Sequence, residues 1–437
     1  MSANAKPRIL LLNPPIYDFA AYDFWLKPYG LLSVAGQLRG HADFALFDYL
    51  DRLHPFMSQQ EKLRPDEWGR GRFHQQRISR PDCLKSIPRY FRRFGLPREM
   101  FQEFLRDRAP FDFALIQITM TYWYQGAREV IEDLRQISPQ TKIVLGGNYP
   151  TLCPAHAATL GADLAVSGTN LEPLWSYLHL MPDANQPALW EVYPNLNIGA
   201  LKLSDGCPFE CTYCSVPKVY GKFQPRPLER SLAELELLYS LGAKNIAFYD
   251  DALLCKPHEV LIPFLEQVIG QGIKVNFHSP NALNARFLTP DIAKLMVRAG
   301  FKTFYLGFES ASTNWQQQTG SKVYSQELAK AVENLLAAGA DPKYITAYQI
   351  LGHPHCDLQD LEASMHFVHS LGIQGTLADF SPLPTTPDGE FCRKWIDLDE
   401  PLMHNKTAFT IIRMGHEESN RLKDLQRKLN WSARSYQ

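Results

Sequence analysis

The chain alternates short apolar runs with amphipathic stretches of helix length, twice over, and that alternation most limits what it can fold into. Arg8 to Asn13, Phe44 to Leu50, Phe113 to Met120, Lys142 to Leu145 and Asp163 to Val166 read as strands. Leu26 to Leu38, Gln125 to Gln136 and Pro154 to Leu160 read as helices between them. Strands alternating with helices predict a parallel sheet, so residues 1–180 are expected to form an α/β, Rossmann-like doubly wound domain. Ligands of such sheets bind outside the carboxyl ends of the strands. That places Asn13, Pro14, Thr119, Thr121, Gly146, Gly147 and Gly168 at the expected site. Glycines 146, 147 and 168 allow close backbone approach to a nucleotide tail, and Thr119 and Thr121 can bond its phosphate or ribose.

A second set follows, with strands expected at 199–204, 245–249, 274–278, 303–307, 345–350 and 377–381. Helices are expected near 231–241, 258–271, 290–299, 325–338 and 358–371. Six strand–helix units predict a partial parallel (β/α)6 barrel over 198–390. Residues 181–197, with three prolines and little periodicity, read as a linker. The polar stretch 391–437, with a basic helix near Glu417 to Leu429, reads as a C-terminal tail packing over the barrel end.

Residues 52–108 interrupt the first set with fourteen Lys/Arg and seven Asp/Glu, a local net charge of +7 in a chain whose total is −1. The segment is too long for a simple connection. It reads either as an aromatic-anchored helical insertion or as a lid or surface for an anionic substrate or nucleic acid. The near-neutral total excludes a globally nucleic-acid-like chain, and 45% hydrophobic residues exclude a disordered one. The apolar run Ile9 to Leu12 is too short for a secretory signal, and no stretch is long and apolar enough to span a membrane. A cytoplasmic location is expected, where cysteines are thiols or metal ligands.

Three of the eight cysteines, Cys207, Cys211 and Cys214, form C-x3-C-x2-C directly after the first barrel strand. Thiolates so spaced suit an iron–sulfur cluster or zinc. Zinc calls for a fourth ligand, and the next candidates, Cys255 and His258, lie over forty residues on. Three ligands around a 4Fe–4S cluster instead leave one iron open for chemistry. The acidic strand-end residues Asp251 and Glu309 can accept hydrogen bonds from hydroxyls or an ammonium, or serve as helix caps or ion-pair partners. His278 and His353, also expected at strand ends, read as structural or substrate-facing.

This cysteine loop, with Tyr213 just before its third cysteine, resembles that of the radical S-adenosylmethionine (radical SAM) superfamily. So do Phe248-Tyr249-Asp250-Asp251, Asn276 to Asn281, Gly307-Phe308-Glu309-Ser310, Ile350-Leu351-Gly352-His353-Pro354 and Ser381 to Pro387, in that order. The resemblance covers about residues 196–390. It implies a 4Fe–4S cluster on Cys207, Cys211 and Cys214, and S-adenosylmethionine contacts at Tyr213, Asp251, Glu309 and Gly352. It further implies reductive cleavage of S-adenosylmethionine to a 5′-deoxyadenosyl radical, with electrons from an external donor such as flavodoxin or ferredoxin.

The opening I-L-L-L-N-P-P, Lys27-Pro28-Tyr29-Gly30, Gly146 to Pro154 and Ala162 to Leu174 are similar to the cobalamin-binding class of that superfamily. Tyr149 stands near the usual histidine of that pattern, and there is no D-x-H-x-x-G. With cobalamin bound, this resemblance implies methylation of an unactivated carbon or phosphorus centre of a small-molecule or biosynthetic-intermediate substrate. A vestigial first domain would leave radical cyclisation, rearrangement or oxidation without methyl transfer. Methylthiotransfer is disfavoured, because only Cys83 and Cys153 precede the barrel and a second cluster needs three ligands. A non-catalytic iron–sulfur protein binding nucleic acid is the less favoured class.

Overall fold

The structure, a computed structural model, describes residues Lys6–Ser435. It divides into two compact units, one built on the residues up to Asn197 and the other on the barrel.

In the first unit β1 (Arg8–Asn13), β2 (Asp43–Asp48), β3 (Phe113–Ile118), β4 (Lys142–Gly147) and β5 (Leu164–Ala165) form a parallel sheet in the order β2-β1-β3-β4-β5. Ile9 to Leu12 are all fully buried, as a central strand covered on both faces requires. The strand order reverses between β1 and β3, so their carboxyl ends splay and leave a crevice. The helix expected over 26–38 is confined to Tyr29–Gly36. Pro28 precedes it, and Gly36 lies so near Pro187 that a Cβ would stand 2.1 Å from that carbonyl oxygen.

Two segments of this unit differ from expectation. Residues 52–108 are not a helical insertion. Phe91–Phe94 is the middle strand of an antiparallel sheet between Gln75–Ile78 and Ile16–Asp18, and Arg98–Arg108 is the one helix of more than four residues there. Several of its cations act as internal ties. Buried Arg93 grips Glu129 with two bonds of 2.7 and 2.8 Å, Arg98 forks onto Asp133, and buried Arg52 donates to Gly69 O. Local charge therefore overstated the anion-binding surface. Residues 181–197 are likewise packed onto the first unit. Trp190 is fully buried, Arg39 holds Glu191 at 2.6 Å, and Leu189 N–H donates to Leu32 O.

In the second unit β6 (Ile198–Leu201), β7 (Asn245–Phe248), β8 (Asn276–Asn284), β9 (Phe301–Glu309), β10 (Ile345–Leu351) and β11 (Gln374–Asp379) run parallel in chain order. β6 and β11 do not pair, so the (β/α)6 barrel is partial. Local signals set its helices. In Pro290–Ala299, Thr289 caps the start, proline takes the first position and Gly300, at φ +108°, ends it. Phe248, Phe277, Phe301 and Phe304 pack ring on ring in the core. His278 is fully buried between Thr303 and Asn245 at 3.0 and 3.1 Å, which makes it structural.

From His404 on, the C-terminal stretch is part of this unit rather than a tail across its end. The helix His416–Ser435 joins Leu422 and Leu429 to Leu351, Leu361 and Met365 in one apolar cluster. It also closes the open edge of β11. The Asn430 side chain donates to Gly375 O and accepts from Gly375 N–H, both at 2.9 Å, replacing a missing neighbour strand. Asn430→Ala removes both bonds and is expected to cost about 1–3 kcal/mol, read as a lower unfolding midpoint in urea.

Candidate active site

The cysteine loop leaves β6 through a bracket, the two-residue ladder of Ser204–Asp205 with Gln224–Pro225. Asp205 receives the Arg226 guanidinium at 2.7 and 2.9 Å and Lys202 Nζ at 3.0 Å. Buried Asp250 accepts the Leu203 N–H and, at 2.6 Å, the Ser204 hydroxyl. Gly206, at φ +71°, turns the chain into Cys207, and a Cβ there would stand 2.5 Å from Lys222 O. Gly320 crosses the other side, where a Cβ would come within 3.2 Å of the Cys211 Cα.

Cys207, Cys211 and Cys214 are free thiols. Burial raises all three above the ordinary cysteine range, Cys214 to about 11, while the Lys322 ammonium nearby opposes the shift at each. Burial works against the charge on Lys322 itself. Glu309 and Cys211 outweigh it and hold the ammonium above the usual lysine range. Lys322 Nζ lies 3.1 Å from Glu309 Oε1.

Glu309 ends β9 with φ +60°, a left-handed backbone that costs a non-glycine residue about 1–2 kcal/mol. Its Oε2 is buried without a hydrogen-bond partner. Buried Asp251 Oδ2 faces Lys202 Nζ at 3.6 Å, an ion pair too long for a hydrogen bond. A buried carboxylate oxygen left bare costs roughly 1–3 kcal/mol, which a hydroxyl or ammonium on a ligand would recover. Lys202 and Lys322 carry no motif in the sequence; only the fold shows that they pair with these two carboxylates.

The remaining expected barrel positions fall as follows. Tyr213 is next to Cys211 and lies nearly parallel to the Trp315 ring, with centroids 5.9 Å apart. His353 is buried, and burial holds it below the ordinary imidazole range despite Asp388 at 2.9 Å. Gly352, at φ +82°, is buried against the helix Lys406–Met414, where a Cβ would meet Thr410 Oγ1 at 2.8 Å. Close packing therefore requires glycine at this position.

In the first unit a cleft opens at the carboxyl ends of β1 and β3, lined by Asn13, Pro14, Pro15, Lys27, Gln117, Thr119 and Trp123 among others. Asn13 donates to Asp48 Oδ1 at 2.6 Å, and Tyr193 donates to Asp48 Oδ2 at the same distance. Burial raises the Asp48 carboxyl, partly offset by Lys27. Lys27 Nζ sits 4.3 Å from the Tyr193 ring centroid. Thr121 is buried and is not among the residues that line this cleft.

One strand over, Gly147 has φ +103°, and a Cβ there would stand 2.5 Å from Ile118 O. Gly146 and Gly168 face open space. Thr151, absent from the sequence expectations, ties the two turns together by donating to Gly147 O and accepting from Gly168 N–H, both at 2.8 Å. Tyr149 is fully buried with its hydroxyl 2.6 Å from His156 Nδ1.

Among the described residues no three His, Cys, Asp or Glu side chains converge on a single metal ion. Gly206→Ala forces a side chain into both a left-handed turn and the Lys222 carbonyl. The expected result is a loss of at least about 1 kcal/mol in thermal unfolding, with faster reaction of Cys207 toward a thiol reagent.

Residues 201–368, from the end of β6 through the helix after β10, match the Radical SAM superfamily. The chain is 28% identical over 239 residues to an uncharacterized methyltransferase of Pyrococcus horikoshii, which is 53% of this chain and 50% of that protein. It thus spans about half the length of this curated relative. The fold is similar to that of TsrM, a radical S-adenosylmethionine methyltransferase from Kitasatospora setae, with TM-score 0.65, 14% identity, and 89% and 76% of the two chains covered. It is also similar to OxsB, a cobalamin-dependent S-adenosylmethionine radical enzyme, with TM-score 0.58, 13% identity, and 97% and 61% covered. At these identities the likeness is one of fold. The matched sequence, the open parallel barrel and the three-thiol loop together identify the second unit of this chain as a radical SAM domain.

Proposed function

We propose that this radical SAM enzyme binds a 4Fe–4S cluster on Cys207, Cys211 and Cys214 and S-adenosylmethionine beside it. We further propose that it uses cobalamin in the first unit to methylate an unactivated carbon or phosphorus centre of a small molecule. The observation that carries the first part is the donor set, three thiols on one pinned loop, with the bare Oε2 of Glu309 at the end of the fourth barrel strand and Asp251 beyond the end of the second.

When bound, such a cluster supplies the electron that cleaves S-adenosylmethionine to a 5′-deoxyadenosyl radical. The protein's part is deprotonation and placement. Cluster binding requires the three raised thiols to lose their protons, and Lys322 offsets the negative charge that results. Glu309 Oε2 is the acceptor available for an ammonium or ribose hydroxyls, with Asp251 Oδ2, shared with Lys202, a second. The electron enters from an external donor of the flavodoxin or ferredoxin kind.

When bound in the first unit, cobalamin supplies a methyl carrier. The cleft at the β1–β3 reversal supports this reading. Asn13, Pro14 and Thr119 line it, while Gly146 and Gly168 leave backbone bare for a nucleotide tail and Gly147 makes the tight turn against Ile118. No helix among the described residues is long and apolar enough to cross a membrane.

Anaerobically reconstituted protein should turn brown and release 5′-deoxyadenosine on reduction. Each of Cys207→Ala, Cys211→Ala and Cys214→Ala should abolish that release, and a colourless wild type would overturn the assignment. Expression with hydroxocobalamin should leave about one corrinoid per chain, by the one-site reading. Gly146→Val, which puts a side chain into open space without a backbone clash, should remove the corrinoid while leaving the cluster. A wild type that keeps its iron but retains no corrinoid would favour radical chemistry without methyl transfer.

A further inference from the structure

The strongest unassigned feature of the barrel is a hydrogen-bonded chain that ends inside the cysteine loop. Thr212, between Cys211 and Cys214, is held on three sides. Its N–H donates to Thr319 O at 3.2 Å, its carbonyl accepts from Asp388 N–H at 3.2 Å, and its hydroxyl donates to Asp388 Oδ2 at 2.5 Å. Asp388 stands 176 residues downstream, in the short helix Pro387–Phe391.

The same Oδ2 lies 2.9 Å from His353 Nε2. Nδ1 of that ring accepts the Trp315 indole N–H at 3.2 Å and the His355 N–H at 3.3 Å. With Nδ1 occupied as an acceptor, the ring proton belongs on Nε2 and points at Asp388. Trp315, Asp388 and His353 are each 5% exposed or less. Trp315 closes the circuit against Tyr213, and its own carbonyl accepts from Thr319, the residue that bonds Thr212.

A buried carboxylate is expensive unless its oxygens are bonded, and here the bonds converge on a loop residue flanked by two thiols. We propose that Asp388 is a positioning residue. Through Thr212 on one side and the His353–Trp315 pair on the other, it fixes where Cys211 and Cys214 present their sulfurs. This rests on the reading of those cysteines as cluster ligands. Asp388 touches neither substrate nor cluster in this role; it sets the loop that does.

The test compares Asp388→Ala, Asp388→Asn and Thr212→Val with wild type after anaerobic reconstitution. Each is scored by iron per chain, the electron paramagnetic resonance spectrum of the reduced cluster, and the rate of S-adenosylmethionine cleavage. Asp388→Ala should change the spectrum and lower iron content or cleavage by about tenfold or more, the range seen when a residue that orients a metal ligand is removed. Asp388→Asn keeps an oxygen acceptor and should restore most of both. Thr212→Val keeps the main-chain bonds and should give an intermediate spectrum, which decides the matter if Asp388→Ala does not fold. Wild-type spectra and rates in Asp388→Ala, or in Thr212→Val when the former is unfolded, overturn the proposal. A wild type without iron overturns instead the cluster reading on which it rests.

Discussion

Three thiols held close together without a cross-link must be kept apart and aimed by other contacts, and much of the barrel's upper edge serves that need. Gly206 makes the turn into the loop, and Asp205 and Asp250 anchor the approach through Arg226 and the Ser204 region. Gly320 lets a neighbouring segment close over Cys211. Thr212 is tied to residues more than one hundred positions away in the chain. Each of these contacts would be strained or costly in isolation. The left-handed backbone of Glu309, a buried aspartate and a bare carboxylate oxygen persist where the surrounding packing over-determines them.

Charge follows the same logic. Lys202 and Lys322 are cations with side chains mostly buried beside acidic groups that end the second and fourth barrel strands. Burial alone would neutralise them, and the adjacent carboxylates prevent that. The Lys322 pair uses Glu309 Oε1 and leaves Oε2 unbonded, so part of that carboxylate's acceptor capacity remains directed to something other than protein. In the first unit, Asp48 takes a comparable place at the end of β2, where it gathers Asn13 and Tyr193 and shapes one wall of the cleft.

Legibility in the sequence followed the range of the interactions. Barrel strands and helices lie within a few residues of their expected places because period, caps and turn glycines act locally, as Thr289, Pro290 and Gly300 illustrate. The cysteine loop was legible because its donors are close in sequence. Thr212 and Asp388 were not, since they pair across β/α units, and Lys322 was not, since no regular spacing links it to Glu309. Composition misled where charge was counted without partners: Arg52, Arg93 and Arg98 belong to a basic segment, yet each is tied to an acidic group. The proline-rich stretch at 181–197 looked like a linker because its contacts, such as Tyr193 to Asp48, are long-range.

By itself the sequence determined an α/β chain of two parallel systems, the position of the three-thiol loop after a first barrel strand, and the strand ends at which ligands can meet the protein. Those are consequences of local periodicity and of the common direction of parallel strands. The tertiary structure decided which charges face each other, which carboxylate oxygens are left bare, and that the last helix seals the barrel edge through Asn430. These depend on burial and on bond geometry between residues far apart in the chain, and both exist only once the barrel has formed.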